Sequence, residues 1–150
     1  MIFTLPGLSR SLADCLAPDL PGVRFFADPA QQGAKPPMLF LRQTNARIAK
    51  KMGERFLRRL GLDLVYLERL NIPDGDSRLQ AAADVMDQRL ETFPYRGGGE
   101  RPVLLRTYDR HWEIAGGELH YKFELKLWLT YQEDAALMSS SQALNMEAVP

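Results

Sequence analysis

The chain has 150 residues, enough for one domain with a substantial hydrophobic core and too few for two domains of ordinary size. Apolar residues make up 45% of the chain, and 19 basic side chains balance 19 acidic ones. This balance argues against a general nucleic-acid binder, which is usually basic. A chain without net charge also lacks self-repulsion, so it suits a subunit of an assembly.

The compartment is indicated by what the sequence lacks. The single cysteine, Cys15, excludes an intramolecular disulfide and a thiolate metal cluster, and we expect it to be a small apolar residue on the first helix. No apolar run approaches the roughly 18 residues that span a membrane. The N-terminus has no early positive charge and no long apolar core, so it does not resemble a signal peptide. A cytoplasmic origin is predicted.

The first predicted elements, within a segment of residues 1–22, are a short helix and a turn. Apolar residues at helical spacing predict a helix over residues 8–16, with Ser9 or Ser11 as its cap and Pro18 at its end. Pro21 and Gly22 predict a turn. Residues 23–26 then predict a brief strand at a sheet edge.

A long hairpin is predicted next, after a Pro- and Gly-rich loop over residues 28–37. The outgoing strand starts at 38–41 and runs to a tip at 50–53, and the return strand covers 55–70. Gly61 would cost about 1 kcal/mol in a helix relative to Ala, so the return segment is interpreted as a strand. Two long strands would project the tip, and an ordered projection without a partner wastes conformational entropy. We therefore predict a contact surface formed by Lys50, Lys51, Met52 and Arg55.

The main helix is predicted to follow a turn at residues 73–76. Ser77 and Gln80 have the spacing of a capping box, which places the helix start at Ser77. Pro94 is predicted to end the helix, and residues 97–99 form a glycine connector. The apolar face of the helix consists of Leu79, Ala82, Ala83, Met86, Leu90 and Phe93.

Residues 119–131 alternate between apolar and polar side chains almost without interruption, which predicts a strand with one buried face. Gly116-Gly117 predicts a two-residue turn that joins this strand to a partner over residues 103–115. The predicted cross-strand pairs are Ile114–Leu119, Trp112–Tyr121, Glu113–His120, Asp109–Glu124, Tyr108–Leu125, Thr107–Lys126, Leu105–Trp128 and Leu104–Leu129. Trp128 interrupts the polar side of its strand. Such an aromatic is often an ordinary surface residue or one covered by a helix, and it also suits a subunit interface.

The C-terminal segment, residues 133–150, is small and polar, and it is predicted to be helical at best over 135–146. We interpret it as a C-terminal arm that is loose in the isolated subunit and orders against a neighbour. The apolar contacts expected of it are Leu137, Met138, Leu144 and Met146.

Catalytic motifs are absent from the sequence. There is no nucleophile elbow, and the glycine run at 97–99 lacks the Lys-Ser/Thr of a phosphate loop. His111, His120 and Glu113 lie on one face of the predicted hairpin and provide the one alternative, a small metal-dependent hydrolase. Ordinary surface histidines explain these residues better, so no catalytic, cofactor-binding or metal-binding residue is assigned.

The order of these elements resembles the phage tail terminator family of tailed phages, prophages and phage tail-like particles. The resemblance extends from about residue 23 to residue 144. It is carried by an ordered set of segments: Phe25-Phe26, Gln32-Gly33 before residues 35–41, residues 55–59, residues 62–66, the amphipathic helix, and residues 112–121.

This resemblance implies an α+β fold, in which a mixed or antiparallel sheet with long hairpins packs against the main helix and the N-terminal helix. It implies a structural protein without cofactor whose subunits form a ring, commonly a hexamer, that caps the tail tube and stops tail elongation. The implied partners are the tube protein, the sheath protein of a contractile tail, and the head-side connector. DNA would pass through the lumen without sequence recognition. The alternative within the same class is another neck or head–tail joining protein.

Overall fold

The computed structural model describes residues 2–26, 35–69, 71–97, 101–131 and 144–148. The fold is α+β, as predicted. Its strands are β1 (Ile2–Phe3), β2 (Arg24–Phe26), β3 (Met38–Met52), β4 (Arg55–Leu67), β5 (Thr92–Tyr95), β6 (Val103–Arg106), β7 (Tyr108–Ala115), β8 (Glu118–Thr130) and β9 (Leu144–Ala148). Its helices are α1 (Leu5–Leu16), a 3₁₀ turn (Ala17–Asp19) and α2 (Gly75–Arg89).

The main sheet is mixed and has the strand order β1, β9, β8, β4, β3, β2, with β7 pairing against the other end of the β8 edge. The β2–β3 pair is parallel and the others are antiparallel. The return strand that was interpreted as β rather than helical is β4, the partner of both β3 and β8. The long hairpin predicted over residues 38–70 is therefore confirmed, and β2 is the predicted edge strand.

The two faces of the main sheet differ in chemistry. We call the face that carries Leu62 and Phe123 the near face, because the buried residues of both helices join it in one continuous core. The opposite face, which carries Asp63 and Lys122, is called the far face. Every second residue of β8 is buried on the near face, so the alternation in the sequence reports this arrangement directly.

Helix α1 begins three residues earlier than predicted. Thr4 caps it, because the Thr4 hydroxyl accepts a hydrogen bond from the backbone N–H of Gly7 at 3.1 Å. Ser11 is not a cap; its buried hydroxyl donates to the Gly7 carbonyl and accepts from the backbone N–H of Arg96. The α-helix ends at Leu16, and Pro18 lies in the 3₁₀ turn that follows.

Helix α2 also starts earlier than predicted, at Gly75, so Ser77 lies inside the helix and the predicted capping box is wrong. The helix ends at Arg89, so Phe93 is buried on a strand and not on the helix. Pro94 lies in β5, which pairs with β6 in a separate two-stranded sheet. The connection over 98–100 lies outside the described residues.

The predicted strand 103–115 is divided in two, because β6 pairs with β5 and only β7 pairs with β8. The pairs nearest the turn, Ile114–Leu119, Trp112–Tyr121 and Glu113–His120, are confirmed. An irregularity between Tyr108 and His111, with Asp109 at φ 53°, then shifts the register so that Tyr108 lies opposite Glu124. The pairs predicted beyond it are therefore wrong: Asp109–Glu124, Tyr108–Leu125, Thr107–Lys126, Leu105–Trp128 and Leu104–Leu129.

The end of the chain returns to the main sheet. Leu144–Ala148 forms β9, which pairs with β8 over Leu127–Thr130 and with β1 over Ile2–Phe3. The helix predicted over 135–146 is thus wrong for Leu144 to Met146, since this segment makes strand hydrogen bonds within its own subunit. The rest of the predicted arm, 133–143 and 149–150, lies outside the described residues. Among the described residues, no helix combines the length and the hydropathy that crossing a membrane requires.

The β7–β8 turn permits a direct stability test. Gly116 and Gly117 have φ angles of 61° and 77°, which side chains other than glycine rarely adopt. Gly117→Ala is expected to lower the free energy of unfolding by about 1 kcal/mol, measured by urea denaturation. Gly75→Ala is the matched control, since Gly75 lies at the start of α2 without positive φ and its added Cβ would meet only Ile72, at 3.4 Å. Equal losses in both variants would contradict the conformational explanation.

Candidate assembly surface at the end of the main sheet

The end of the β3–β4 hairpin, which the sequence predicts to be a contact surface, is highly exposed. We call residues 44–60 the hairpin end. Residues 42–52 of β3 are all exposed, and Met52 retains 59% of its surface and Ile48 51%. In the described part of the chain, β2 covers only residues 38–40 of β3, so the outer edge of the remaining strand has no strand partner.

The hairpin end belongs to the main sheet, in which β8 and then β9 continue beyond β4, and is not a free two-stranded projection. β8 accompanies β4 over the whole length of both strands, from Leu67–Glu118 to Arg55–Thr130. The backbone N–H of Tyr131 also donates to the Glu54 carbonyl at 2.9 Å, which fastens the turn to the end of β8. The expectation that two strands alone project the tip is therefore wrong, and the surface is presented on a supported sheet.

The far face of the hairpin end is strongly basic. Arg47, Arg59 and Lys126 lie directly opposite one another on β3, β4 and β8, so three cations occupy one cross-strand row. Like charges in such positions are destabilising. Glu124 relieves the row only in part, through a hydrogen-bonded ion pair with Arg59 at 2.8 Å that lowers the pKa of Glu124. We call Arg47, Lys50, Arg55, Arg59 and Lys126 the basic face.

Aromatic rings lie beside cations on both faces of the hairpin end. The Arg55 guanidinium lies 5.2 Å from the centre of the Trp128 ring, and the Lys51 ammonium lies 6.0 Å from that of Tyr131. The rings of Phe56 and Tyr131 are 4.6 Å apart. Burial lowers the pKa of Arg58, whose guanidinium lies over Phe56. The hairpin end therefore combines positive charge with apolar area, a combination that is common at protein interfaces.

The predicted contact residues fall into two groups. Lys50, Lys51, Met52 and Arg55 are exposed together at the hairpin end, and Trp128 lies beside them on the far face, half-buried and opposite Leu57. Leu137 and Met138 lie outside the described residues. Leu144 and Met146 lie in β9, which pairs with β8 on the side opposite β4, at the end of the sheet where the β3–β4 turn lies. Their role in assembly stays a prediction.

The residues of the metal-hydrolase alternative are not brought together as a ligand set. His111 Nδ1 donates a hydrogen bond to the Asp109 carbonyl oxygen at 2.9 Å, and Glu113 pairs with Lys122 at 3.2 Å. Both ring nitrogens of His120 are occupied, by Asp63 at 3.0 Å and Glu118 at 2.9 Å. Among the described residues, no group of three His, Cys, Asp or Glu side chains could hold a metal ion.

Sequence reasoning missed Asp63, which is fully buried in the middle of the far face. Its Oδ2 accepts from Arg42 at 3.1 Å and faces His120 Nδ1. Burial lowers the pKa of His120, but the hydrogen bonds to Asp63 and Glu118 outweigh this effect and raise it above its usual value. The available signal was a carboxylate flanked by Leu62 and Leu64 in an otherwise apolar stretch of β4.

Residues 8–136 match the family model described as "Phage tail terminator protein". The match covers most of α1, all of α2, the strands from β2 to β8 and the hairpin end. No curated protein matches the chain.

Proposed function

The chain belongs to the phage tail terminator family, and on that premise we propose that it forms a closed ring that caps the tail tube. Family membership over residues 8–136 carries this proposal and gives the chain a structural role in the virion tail, in contact with other tail proteins. It also suggests a structural, non-enzymatic protein. The ring, its size and its partners are the proposed part.

A closed ring suits this task. In such a ring each subunit uses both of its subunit–subunit surfaces to contact its two neighbours, so the subunits cannot extend into a filament of their own. We propose six subunits, one side of the ring bound to the last ring of tube protein, and to the sheath protein where the tail is contractile. The other side would receive the head-side connector. DNA would pass through the lumen without sequence recognition, and the ring would assemble in the bacterial cytoplasm before the head joins.

The tip of the hairpin end and its supporting β8 support the proposal, because they present exposed apolar and cationic groups on a rigid extension. The zero net charge supports it as well, since a neutral subunit does not repel its own copies. The second candidate function is that of a head–tail joining protein at another position in the neck. The experiment that follows distinguishes this function from that of a tail terminator.

The test is the mass of the native assembly, followed by its position on tails. Six subunits of 17.0 kDa give about 102 kDa, which native mass spectrometry or light scattering resolves from a monomer. Assembled tails should carry the protein at the head-proximal end, and tails made without it should vary in length. A protein that stays monomeric with tube protein present contradicts the ring, and tails of normal length without it contradict the terminator role.

A further inference from the structure

The hairpin end carries more positive than negative charge. The hairpin end contains six basic side chains, Arg47, Lys50, Lys51, Arg55, Arg58 and Arg59, and one acidic side chain, Glu54. Within the described part of the chain, Lys50 and Arg47 form no ion pair with a carboxylate, and Arg47 faces Arg59 across the strands. A surface of this kind costs the isolated subunit stability, and an anionic partner would remove that cost.

The outer surface of α2 carries the opposite charge. Residues 74–91 include five exposed acidic side chains, Asp74, Asp76, Asp84, Asp87 and Glu91, and two basic ones, Arg78 and Arg89. Both arginines are engaged inside the subunit: Arg78 pairs with Asp74 at 3.1 Å and Arg89 with Asp19 at 2.7 Å. Glu91 pairs with Arg106 at 3.9 Å, whereas Asp76 and Asp84 have no ion pair among the described residues. The exposed surface of α2 is therefore acidic where the hairpin end is basic.

The main sheet separates these two surfaces. Helix α2 packs on the near face through Leu79 and Met86, and the Tyr121 hydroxyl, also on the near face, donates to Asp87 at 2.8 Å. The basic face belongs to the far face. A subunit cannot bring its own two surfaces together, whereas a second copy placed head to tail can do so. Two different complementary surfaces on opposite sides of one chain are the requirement for a heterologous contact.

Because it deepens the ring proposed above, this inference rests on that proposed function: we infer that the basic face of each subunit docks on the acidic outer surface of α2 in the next copy. Exposed Met52, at the tip, would add apolar area to this contact. The cleft beside α2 offers room for it, with a volume of about 410 Å³ and a mixed lining, in which Val23, Ala81 and Val85 lie beside the charged residues Asp19, Glu68, Arg69 and Arg78.

A second copy fits this surface better than nucleic acid does. The cations are interspersed with Met52 and Trp128, and the acidic side chains that would neutralise them occur in equal total number on the same chain. A backbone-binding surface is usually found on a chain with an excess of positive charge. DNA binding remains a defined outcome of the test.

The test uses paired charge reversals in the full-length protein. One variant carries Arg47→Glu and Lys50→Glu, and the other carries Asp76→Lys and Asp84→Lys. All four positions are exposed, and Arg47→Glu replaces a like-charge pair with Arg59 by an attractive one, so neither variant is expected to unfold. Arg10→Glu with Arg96→Glu is the control, since it changes the net charge as the first variant does at two exposed positions elsewhere.

Each variant alone should lose ring formation, with the concentration for half-assembly raised at least about tenfold, because each contact becomes repulsive. An equimolar mixture should assemble again, since the acidic hairpin end of one variant matches the basic α2 of the other. Native mass spectrometry should then find equal numbers of the two variants in each ring. The control should assemble as the wild type does, and added salt should weaken all these rings.

The outcomes separate the inference from the proposed function. A wild-type protein that never forms a ring, even with tube protein, overturns the ring itself. If the wild type forms a ring and either variant alone still forms it, this docking arrangement is wrong, although the ring itself is not. The same holds if the two variants fail to assemble when they are mixed. The wild type could also bind DNA, and the Arg47→Glu, Lys50→Glu variant could lose this binding while it still forms the ring. That result would assign the basic face to nucleic acid and would also contradict the docking arrangement.

Discussion

Tyr95→Ala is expected to lower the free energy of unfolding by about 3–5 kcal/mol, the usual cost of removing a fully buried aromatic side chain. Tyr95 lies in β5 with no exposed surface, and its ring centre is 5.5 Å from that of Phe3 in β1. Its hydroxyl also accepts a hydrogen bond from the backbone N–H of Thr4, the cap of α1, at 2.9 Å. One side chain therefore connects β5, β1 and the start of α1.

Tyr95→Phe is the matched control, because it keeps the ring and removes only the hydroxyl. We expect a loss of about 1 kcal/mol, the net value of one hydrogen bond. The free energy of unfolding of both variants is measured by urea denaturation, monitored by far-UV circular dichroism. Equal losses would show that the hydrogen bond, and not the packing of the ring, connects the N-terminal helix to the rest of the subunit.

The strands with strict alternation were predictable from the sequence, and their pairing was predictable close to the turn. β8 follows a period of two because its near face is buried along its whole length and its far-face residues, except Trp128, are polar. Gly116 and Gly117 fix the register, so the pairs up to Trp112–Tyr121 follow by counting. Counting residues from the turn fails at Asp109, because its positive φ angle accompanies a shift in the register. The Asp-Arg sequence contains no signal of this irregularity, since any polar pair in a strand would look the same.

The segment around Pro94 was not predictable by pattern. Phe93 continues the helical spacing of Met86 and Leu90, and proline commonly follows a helix, so both signals favoured a longer α2. The actual strand, β5, has four residues, too few for a period of two to be recognised. Its existence depends on pairing with β6, a contact between residues that are separated by the connection over 98–100.

The exposure of the hairpin end was predictable from the sequence, but the arrangement of its cations with Lys126 in the basic face was not. Lys50, Lys51 and Arg55 are visible as a cluster in the sequence, and they lie where they were expected. The row formed by Arg47, Arg59 and Lys126 depends on the registers of β3, β4 and β8 together, and irregularities between Gln43 and Asn45 and between Ile48 and Lys50 set the β3 register. Local composition contains none of this information.

Asp63→Asn is expected to lower the free energy of unfolding by about 1–3 kcal/mol at pH 6, less than a fully buried ion pair would cost, because Arg42 is 60% exposed and can be solvated. The substitution keeps the shape of the side chain and removes the charge that His120 Nδ1 faces at 3.0 Å. Glu113→Gln is the control, since Glu113 is largely exposed and its partner Lys122 partly exposed, and we expect a loss below about 0.5 kcal/mol.

The loss in Asp63→Asn should also depend on pH, with a sign that follows from His120. Its pKa is raised in the folded state despite burial, by hydrogen bonds to Asp63 and Glu118. A raised pKa contributes stability that is complete below the unfolded value of about 6.5 and disappears as the pH rises through the folded pKa. The difference between wild type and Asp63→Asn, measured by urea denaturation, should therefore be larger at about pH 6 than at about pH 9. A difference that is constant over this interval, or larger at the higher pH, would show that the Asp63–His120 contact does not stabilise the protonated histidine, and that Arg42 alone accounts for the buried carboxylate.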